Sequence, residues 1–366
     1  MIKQYFDNPE MGFIDHVLQF YLAKKIKSDR DYLNRRINWE KILKLGKIHG
    51  LLSFFYYYFQ TENLWSQIPI GVATSIRLHY QSQLAWNIRL LKTYAEIKHY
   101  CERTEVEFFP LKGIAYLELL YPEVGLRPCS DIDLFVPIEF VPRLSQYFTD
   151  LRYEKPFLPT SAHACFEKDD VRVEIHWSLF GSYEDGLFRS RDLLKKGVHP
   201  SFATKEDEFI YFVLHFYSHP EKRLFSLIES MFFLEKFCPF SEDYFWKKVF
   251  YHRAQLPVLT LFKQIEHWLP VPVKIEQEGS KILETRKYHI FQKKLNHHLF
   301  GQRPFKRIIL DCLLPKHFYE YGIHLVKVLF PSPAELRIFY PYRSTNFKLG
   351  NYFYHFLRMV WLGFKT

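Results

Sequence analysis

The chain has 366 residues, of which 48% are apolar and 19% aromatic, and its formal net charge is +10. This length and apolar content support a full hydrophobic core, spread over two or three packed units, and exclude a disordered chain. The basic balance favours anionic partners such as nucleotides, nucleic acid, acidic glycans or a membrane face. The lysines and arginines are dispersed and form no long run, which weakens the nucleic-acid reading.

Residues 1 to about 105 read as helices. Val17, Leu18, Tyr21 and Leu22 recur at helical spacing, and the apolar pattern continues through 38–59 and 75–104. Asn38, ahead of Trp39, is a helix cap by type and position. The aromatic run at 51–59 reads as core or interdomain packing, with a partner groove as the alternative.

The texture changes near residue 106. Residues 106–113 (VEFFPLKG) form a short strand-like run, and 114–125 read as a helix closed by Pro122 and Gly125. In 131–137 (DIDLFVP) acidic and apolar residues alternate with period two, the pattern of a strand with one carboxylate-bearing face. A helix is expected over 137–153. Next comes a hairpin over 163–180 with Lys168, Asp169 and Asp170 at its turn.

From about residue 185 the pattern is helical again, over 205–219, 223–237, 242–256 and a tail after Leu336. No internal repeat is present. The fold class is α+β: a small mixed sheet over 106–182, flanked by helical regions over 1–105 and 183–366.

The five cysteines, Cys101, Cys129, Cys165, Cys238 and Cys312, are scattered, odd in number and without a CxxC pair. They read as reduced thiols of a cytoplasmic protein, not as a disulfide framework or a zinc site. The amino-terminal segment is too polar for a signal peptide. No apolar run approaches the roughly 18 residues of a membrane span. The nearest, 351–364, carries His355 and Arg358. No integral membrane segment is expected. The basic aromatic tail over 340–366 reads as a helix docked on the body, with a membrane-surface contact as the alternative.

Three carboxylates stand out. Asp131 and Asp133 are two apart on one strand and so share a face. Their repulsion has to be offset, and divalent cations do this well. Glu174 stands between Val173 and Ile175, where an acid is a poor choice for packing. A neighbouring strand would bring it beside the aspartate pair. Upstream, Lys112 and Gly113 sit where a strand passes into a helix, a turn able to hold phosphate. Arg127 and Ser130 precede the acid pair and are further candidates to grip phosphate oxygens or steady a metal shell. His215 and His219, four apart on one helix, read either as a metal pair or as structural and supporting residues. His297 and His298 lie in a polar stretch and read as surface residues.

The segment from Leu111 to Pro137, LKGIAYLELLYPEVGLRPCSDIDLFVP, followed by VEIHW at 173–177, resembles the uncharacterised nucleotidyltransferase family, a branch of the DNA polymerase β-like nucleotidyltransferase superfamily. His163 falls where that family often has a histidine, and the segment after Leu329 is similar to its C-terminal region. The chain departs from the wider superfamily in having Lys-Gly at the phosphate turn and a longer gap from Gly113 to Asp131.

The resemblance implies a mixed sheet packed with helices. It also implies Mg2+, as one ion or two, held by Asp131, Asp133 and Glu174, and an NTP as donor. His163 and His176 are then candidates to support the metal site from behind its ligands; His215 and His219 are candidates for the same role by their helical spacing alone. The acceptor stays open among a small molecule, a glycan precursor, a protein and RNA. Two other readings stand beside transfer to a hydroxyl acceptor: a catalytically silent nucleotide-binding or partner protein, and an RNA-modifying nucleotidyltransferase or toxin suggested by the positive charge.

Overall fold

The structure is a computed structural model. It describes residues 8–23, 37–155, 163–179, 204–218, 224–252, 254–266 and 352. Expectations placed on His219, His297, His298 and the C-terminal tail lie outside the described residues.

The chain forms two compact units that interleave in sequence. The first takes the N-terminal region to Arg89, the segment Tyr116–Cys129, and the helices from Lys205 on. The second takes Leu90–Ala115 and the residues from Ser130 through the sheet.

The helical unit begins with α1 (Pro9–Ala23), α2 (Trp39–His49) and α3 (Leu52–Thr61). Asn38 caps α2: its side-chain oxygen accepts from the Lys41 backbone N–H at 3.0 Å. The sequence pattern ran unbroken from residue 38 to 59, but the helix stops at Gly50. This glycine takes φ 69°, a left-handed conformation that favours residues without a Cβ. Leu51 N–H then donates to the Gly46 carbonyl at 2.7 Å, and α3 restarts at once. Phe54, Phe55, Tyr58 and Phe59 of α3 are buried, as the core reading of that run requires.

Helix α4 (Ile70–Arg103) follows and contributes to both units. Asn87 on α4 is buried and donates to the carbonyls of Val124 (2.6 Å) and Arg127 (2.8 Å). Trp86 Nε1 donates to the Cys129 carbonyl at 2.9 Å. These bonds fix the segment that runs into the first acidic strand. Gly125 lies so close to α4 that a Cβ there would stand 2.7 Å from Tyr80 Cε2 and 3.1 Å from Leu84 Cβ. The Tyr80 ring is itself stacked on Tyr56 at 3.9 Å and bonded through its hydroxyl to Glu123.

The sheet unit contains β1 (Phe109–Leu111), the five-residue helix α5 (Lys112–Tyr116, whose last residue belongs to the helical unit), β2 (Asp131–Phe135), α6 (Val141–Asp150), β3 (His163–Lys168) and β4 (Val171–His176). The helix expected over 114–125 is thus much shorter. It closes in a turn, with Leu120 N–H bonded to the Tyr116 carbonyl at 2.9 Å, ahead of Pro122. Strand order is β1-β2-β4-β3, with β2 and β4 parallel and the two outer pairs antiparallel. The hairpin turn has φ 50° at Asp169 and 66° at Asp170, the two left-handed residues of a tight two-residue turn.

One sheet face is apolar: Ile132, Leu134, Val173, Ile175 and Phe166 are fully buried. Helix α6 covers it, with Phe148 stacked on Phe166 at 4.8 Å between centroids. Burying each such side chain stabilises the fold by about 1.5–3 kcal/mol. The opposite face carries the acids.

The later helices are α7 (Lys205–Ser218), α8 (Leu224–Phe237), α9 (Glu242–Tyr251) and α10 (Gln255–Ile265). The helix expected over 242–256 is two helices, separated around His252–Ala254. In α7 the acids Glu206, Asp207 and Glu208 are all buried. Glu206 accepts from Ser241 N–H at 3.0 Å, and Asp207 pairs with Lys248 at 2.9 Å. Among the described residues, no ion pair is formed by Glu208. Burial pushes its carboxyl up to about 8, against a weaker opposing pull from the Tyr116 hydroxyl. Among the described residues, no helix is long and apolar enough to cross a membrane.

Two expectations follow. Gly125→Ala should lower stability by about 1–3 kcal/mol through overpacking, read by urea denaturation. Glu208 keeps its proton in the folded state up to about pH 8, whereas its unfolded value is near 4.5. Its favourable contribution is therefore full below about pH 4.5 and is lost as pH rises toward 8. Glu208→Gln should gain on the parent protein across that window, by an amount on the order of a few kcal/mol, measured as the difference in unfolding free energy at successive pH values.

Candidate functional site

The parallel pairing of β2 with β4 builds the site. Its register sets Asp131 opposite Arg172, Asp133 opposite Glu174 and Phe135 opposite His176. Side chains alternate along a strand, so all of these stand on one face. The antiparallel β3 adds Cys165 opposite Glu174 and His163 opposite His176. Sequence spacing alone put Asp131 and Asp133 together. The pairing supplies Glu174.

His176 Nε2 lies 2.9 Å from Asp133 Oδ1 and 3.5 Å from Glu174 Oε2. Lys112 Nζ lies 3.4 Å from the other oxygen of Asp133, Oδ2. The two oxygens of Asp133 thus face different partners, His176 from the adjacent strand β4 and Lys112 from the β1–α5 junction. Lys112 takes φ 45°, a left-handed conformation that costs a side-chain-bearing residue roughly 1–2 kcal/mol. That turn keeps the ammonium beside Asp133. Gly113 follows it, buried at the second position of α5. With only five residues, α5 adds little helix dipole of its own.

The charges respond to one another. Burial raises Asp131 to about 6, and the nearby carboxylates of Asp133 and Glu174 push the same way, against Lys112 and a hydrogen bond from Ser130. Burial would also raise Asp133, but the Lys112 charge and the His176 bond outweigh it and hold this carboxyl well below its usual range. Glu174 is lowered by its bond to His176, in opposition to burial. For His176 burial acts to lower the value, yet the bonds to Asp133 and Glu174 raise it. His163 stacks on His176 with centroids 5.2 Å apart, and burial, followed by the neighbouring His176 charge, lowers it.

Among the described residues, one group offers ligand atoms all within 4.8 Å of one another: Asp133, Glu174 and His176. Carboxylate oxygens and an imidazole nitrogen at that spacing are a donor set a divalent ion can use. Asp131 adjoins this group on the same face. His176, expected only to support the site, stands within it.

Arg127 has a different place. It belongs to the helical unit and is buried, with Nε bonded to Glu229 Oε1 at 2.5 Å and Nη2 to Glu229 Oε2 at 3.1 Å. Nη1 reaches the Pro128 carbonyl at 3.3 Å. The guanidinium is committed to Glu229, and breaking such a buried pair would leave an uncompensated charge. The acid face carries another arginine, Arg172, whose side chain is partly open and reaches Glu167 at 3.1 Å. It is two residues before Glu174 on the same strand, a spacing the sequence already displayed. His215 lies on α7 in the helical unit, near Tyr211, and is not among the ligand group.

A mixed sheet with paired acids on parallel strands and a lysine at the preceding turn is an arrangement suited to phosphate chemistry. The family model described as uncharacterised nucleotidyltransferase matches residues 35–270, more than half of the chain, and the chain belongs to that family. Neither a curated protein nor a solved structure matches it.

The Lys112–Asp133 pair can be measured without any assay of activity. Lys112→Met should destabilise the fold in the presence of chelator, and Asp133→Asn in the same chain should recover part of the loss. The coupling in that double-mutant cycle is expected at about 0.5–3 kcal/mol. Additive effects would mean that the two side chains do not hold each other.

Proposed function

We propose that the chain transfers a nucleoside monophosphate from an NTP to a hydroxyl acceptor, releasing pyrophosphate, at the acidic face of the sheet. The observation that carries this reading is the register Asp133↔Glu174 on parallel strands, with Asp131 on the same face and Lys112 3.4 Å from Asp133. Three carboxylates packed this closely suit a site that receives positive charge with its substrate.

Asp131, Asp133 and Glu174 would hold Mg2+, whose preference for carboxylate and phosphate oxygens matches them. When bound, such an ion supplies Lewis-acid polarisation of phosphoryl oxygens and offsets developing negative charge. Lys112, at its left-handed turn with Gly113 behind it, would give the triphosphate a point charge. Ser130 already bonds to Asp131 and would orient that carboxylate or a phosphate oxygen. Arg172 takes the role of cation on this face that the sequence assigned to Arg127.

In the reaction, the acceptor oxygen bonds to the α-phosphorus, and the bond from that phosphorus to the α–β bridging oxygen breaks in line. The electron pair leaves on pyrophosphate. Glu174, more open to solvent than Asp133, would take the acceptor's proton.

The test is incubation with each of the four α-labelled NTPs, divalent cation and cell extract, followed by identification of the labelled product. The double variant Asp131→Asn, Asp133→Asn should lose labelling by at least about a hundredfold while its circular dichroism stays native. Equal labelling by a folded double variant would remove the acid pair from the chemistry. Absence of labelling together with tight Mg2+–NTP binding would mark a silent nucleotide-binding protein.

A further inference from the structure

The sheet holds one more metal donor than the three carboxylates. His176 follows Glu174 by two residues on β4, so the strand's alternation returns it to the acid face. Its Nε2 stands 2.9 Å from Asp133 Oδ1 and 3.5 Å from Glu174 Oε2, and these ligand atoms form a group within 4.8 Å. Ions with bonds of about 2.0–2.1 Å place adjacent octahedral donors roughly 3 Å apart, so these separations suit neighbouring positions around one ion. The Asp133 oxygen turned toward His176 is not the one beside Lys112, which leaves Oδ1 free of the ammonium.

We propose that His176 supplies a nitrogen ligand, so that the Asp133–Glu174–His176 group favours Mn2+, or a similar first-row divalent ion, over Mg2+. The reasoning is chemical. Mg2+ is a hard ion that takes oxygen donors and parts reluctantly with its water. An imidazole in place of one oxygen donor shifts the balance toward first-row ions that accept nitrogen. No thiol belongs to the group: its ligand atoms come from Asp133, Glu174 and His176, and Cys165, opposite Glu174 on β3, is not among them. Two carboxylates and one imidazole make a mixed oxygen and nitrogen donor set that Mn2+ and similar first-row ions accept more readily than Mg2+ does.

His163 stacks on the His176 ring and would steady its orientation. It is a positioning residue in this scheme, not a ligand.

The inference rests on the metal-assisted site described above, and its test is independent of turnover. Mn2+ alone is titrated into the full chain by calorimetry, and the bound ion is read by electron spin-echo envelope modulation. The expected result is Mn2+ bound about tenfold or more tighter than Mg2+, with a nitrogen coupling that changes pattern when the chain is grown with 15N-histidine. His176→Gln should remove the coupling and bring the Mn2+ and Mg2+ affinities together, while His163→Gln should retain the coupling.

Bound Mn2+ without nitrogen coupling in the unmutated chain would overturn the proposal, as would no Mn2+ binding or equal affinity for the two ions. The isotope experiment needs no variant, so a His176→Gln chain that fails to fold leaves the outcome decided. A chain that binds Mn2+ through nitrogen yet labels no product keeps this inference and loses the transferase reading. A chain that labels product with its metal held by oxygen alone does the reverse.

Discussion

The placement of Asp133 governs the rest of the sheet unit. Its carboxylate is buried, and a buried charge survives only with partners. Those partners come from two directions: Lys112 from the turn after β1, and His176 from β4. Neither is near it in sequence. The β2–β4 pairing therefore has to be in register, because a slip by one residue would turn the acids into the layer occupied by Ile132, Leu134, Val173 and Ile175. The apolar face under α6 specifies the register, and the acid face inherits it.

The same arrangement explains why Lys112 adopts a left-handed backbone that a glycine would take at less cost. A glycine there would relieve the conformation but would leave Asp133 without the Lys112 ammonium, with His176 as the remaining one of these two partners. The local strain is small beside the desolvation cost of an unpaired carboxylate, which in proteins amounts to several kcal/mol. Electrostatics wins at this position. At Gly50 and Gly125, where no charge has to be placed, the backbone and packing constraints decide and glycine is used.

Much of the sheet was legible in the sequence because short strands announce themselves by alternation. DIDLF alternates two acids, and VRVEIH alternates Arg172, Glu174 and His176, with buried aliphatics, and the Asp169–Asp170 turn fixes the hairpin. The N-cap at Asn38 was legible for the same local reason. Helix limits were less so. The stop at Gly50 depends on a single left-handed residue inside an unbroken apolar pattern, and the break near His252 has no comparable signal. Within the site, Asp131, Asp133, Glu174 and Lys112 could be named from spacing and residue type. The full part of His176 could not, although the period-two rule that paired the aspartates also puts Glu174 and His176 on one face.

Arg127 shows the limit of reading a motif as a contiguous site. In sequence it stands four residues before Asp131, and a basic residue ahead of an acid pair invites a phosphate role. In the folded chain the compact units divide between Cys129 and Ser130. Ser130 and the acids go with the sheet, while Arg127 stays with the helices, bidentate to Glu229, which also accepts from the Tyr121 hydroxyl at 3.0 Å. Its backbone carbonyl is held by Asn87 as well. The arginine thus fastens the segment leading into β2. A motif can therefore be a sequence signature for two reasons at once. One part faces the acid side of the sheet and the other sets where the strand begins, and the partners of each side chain tell them apart.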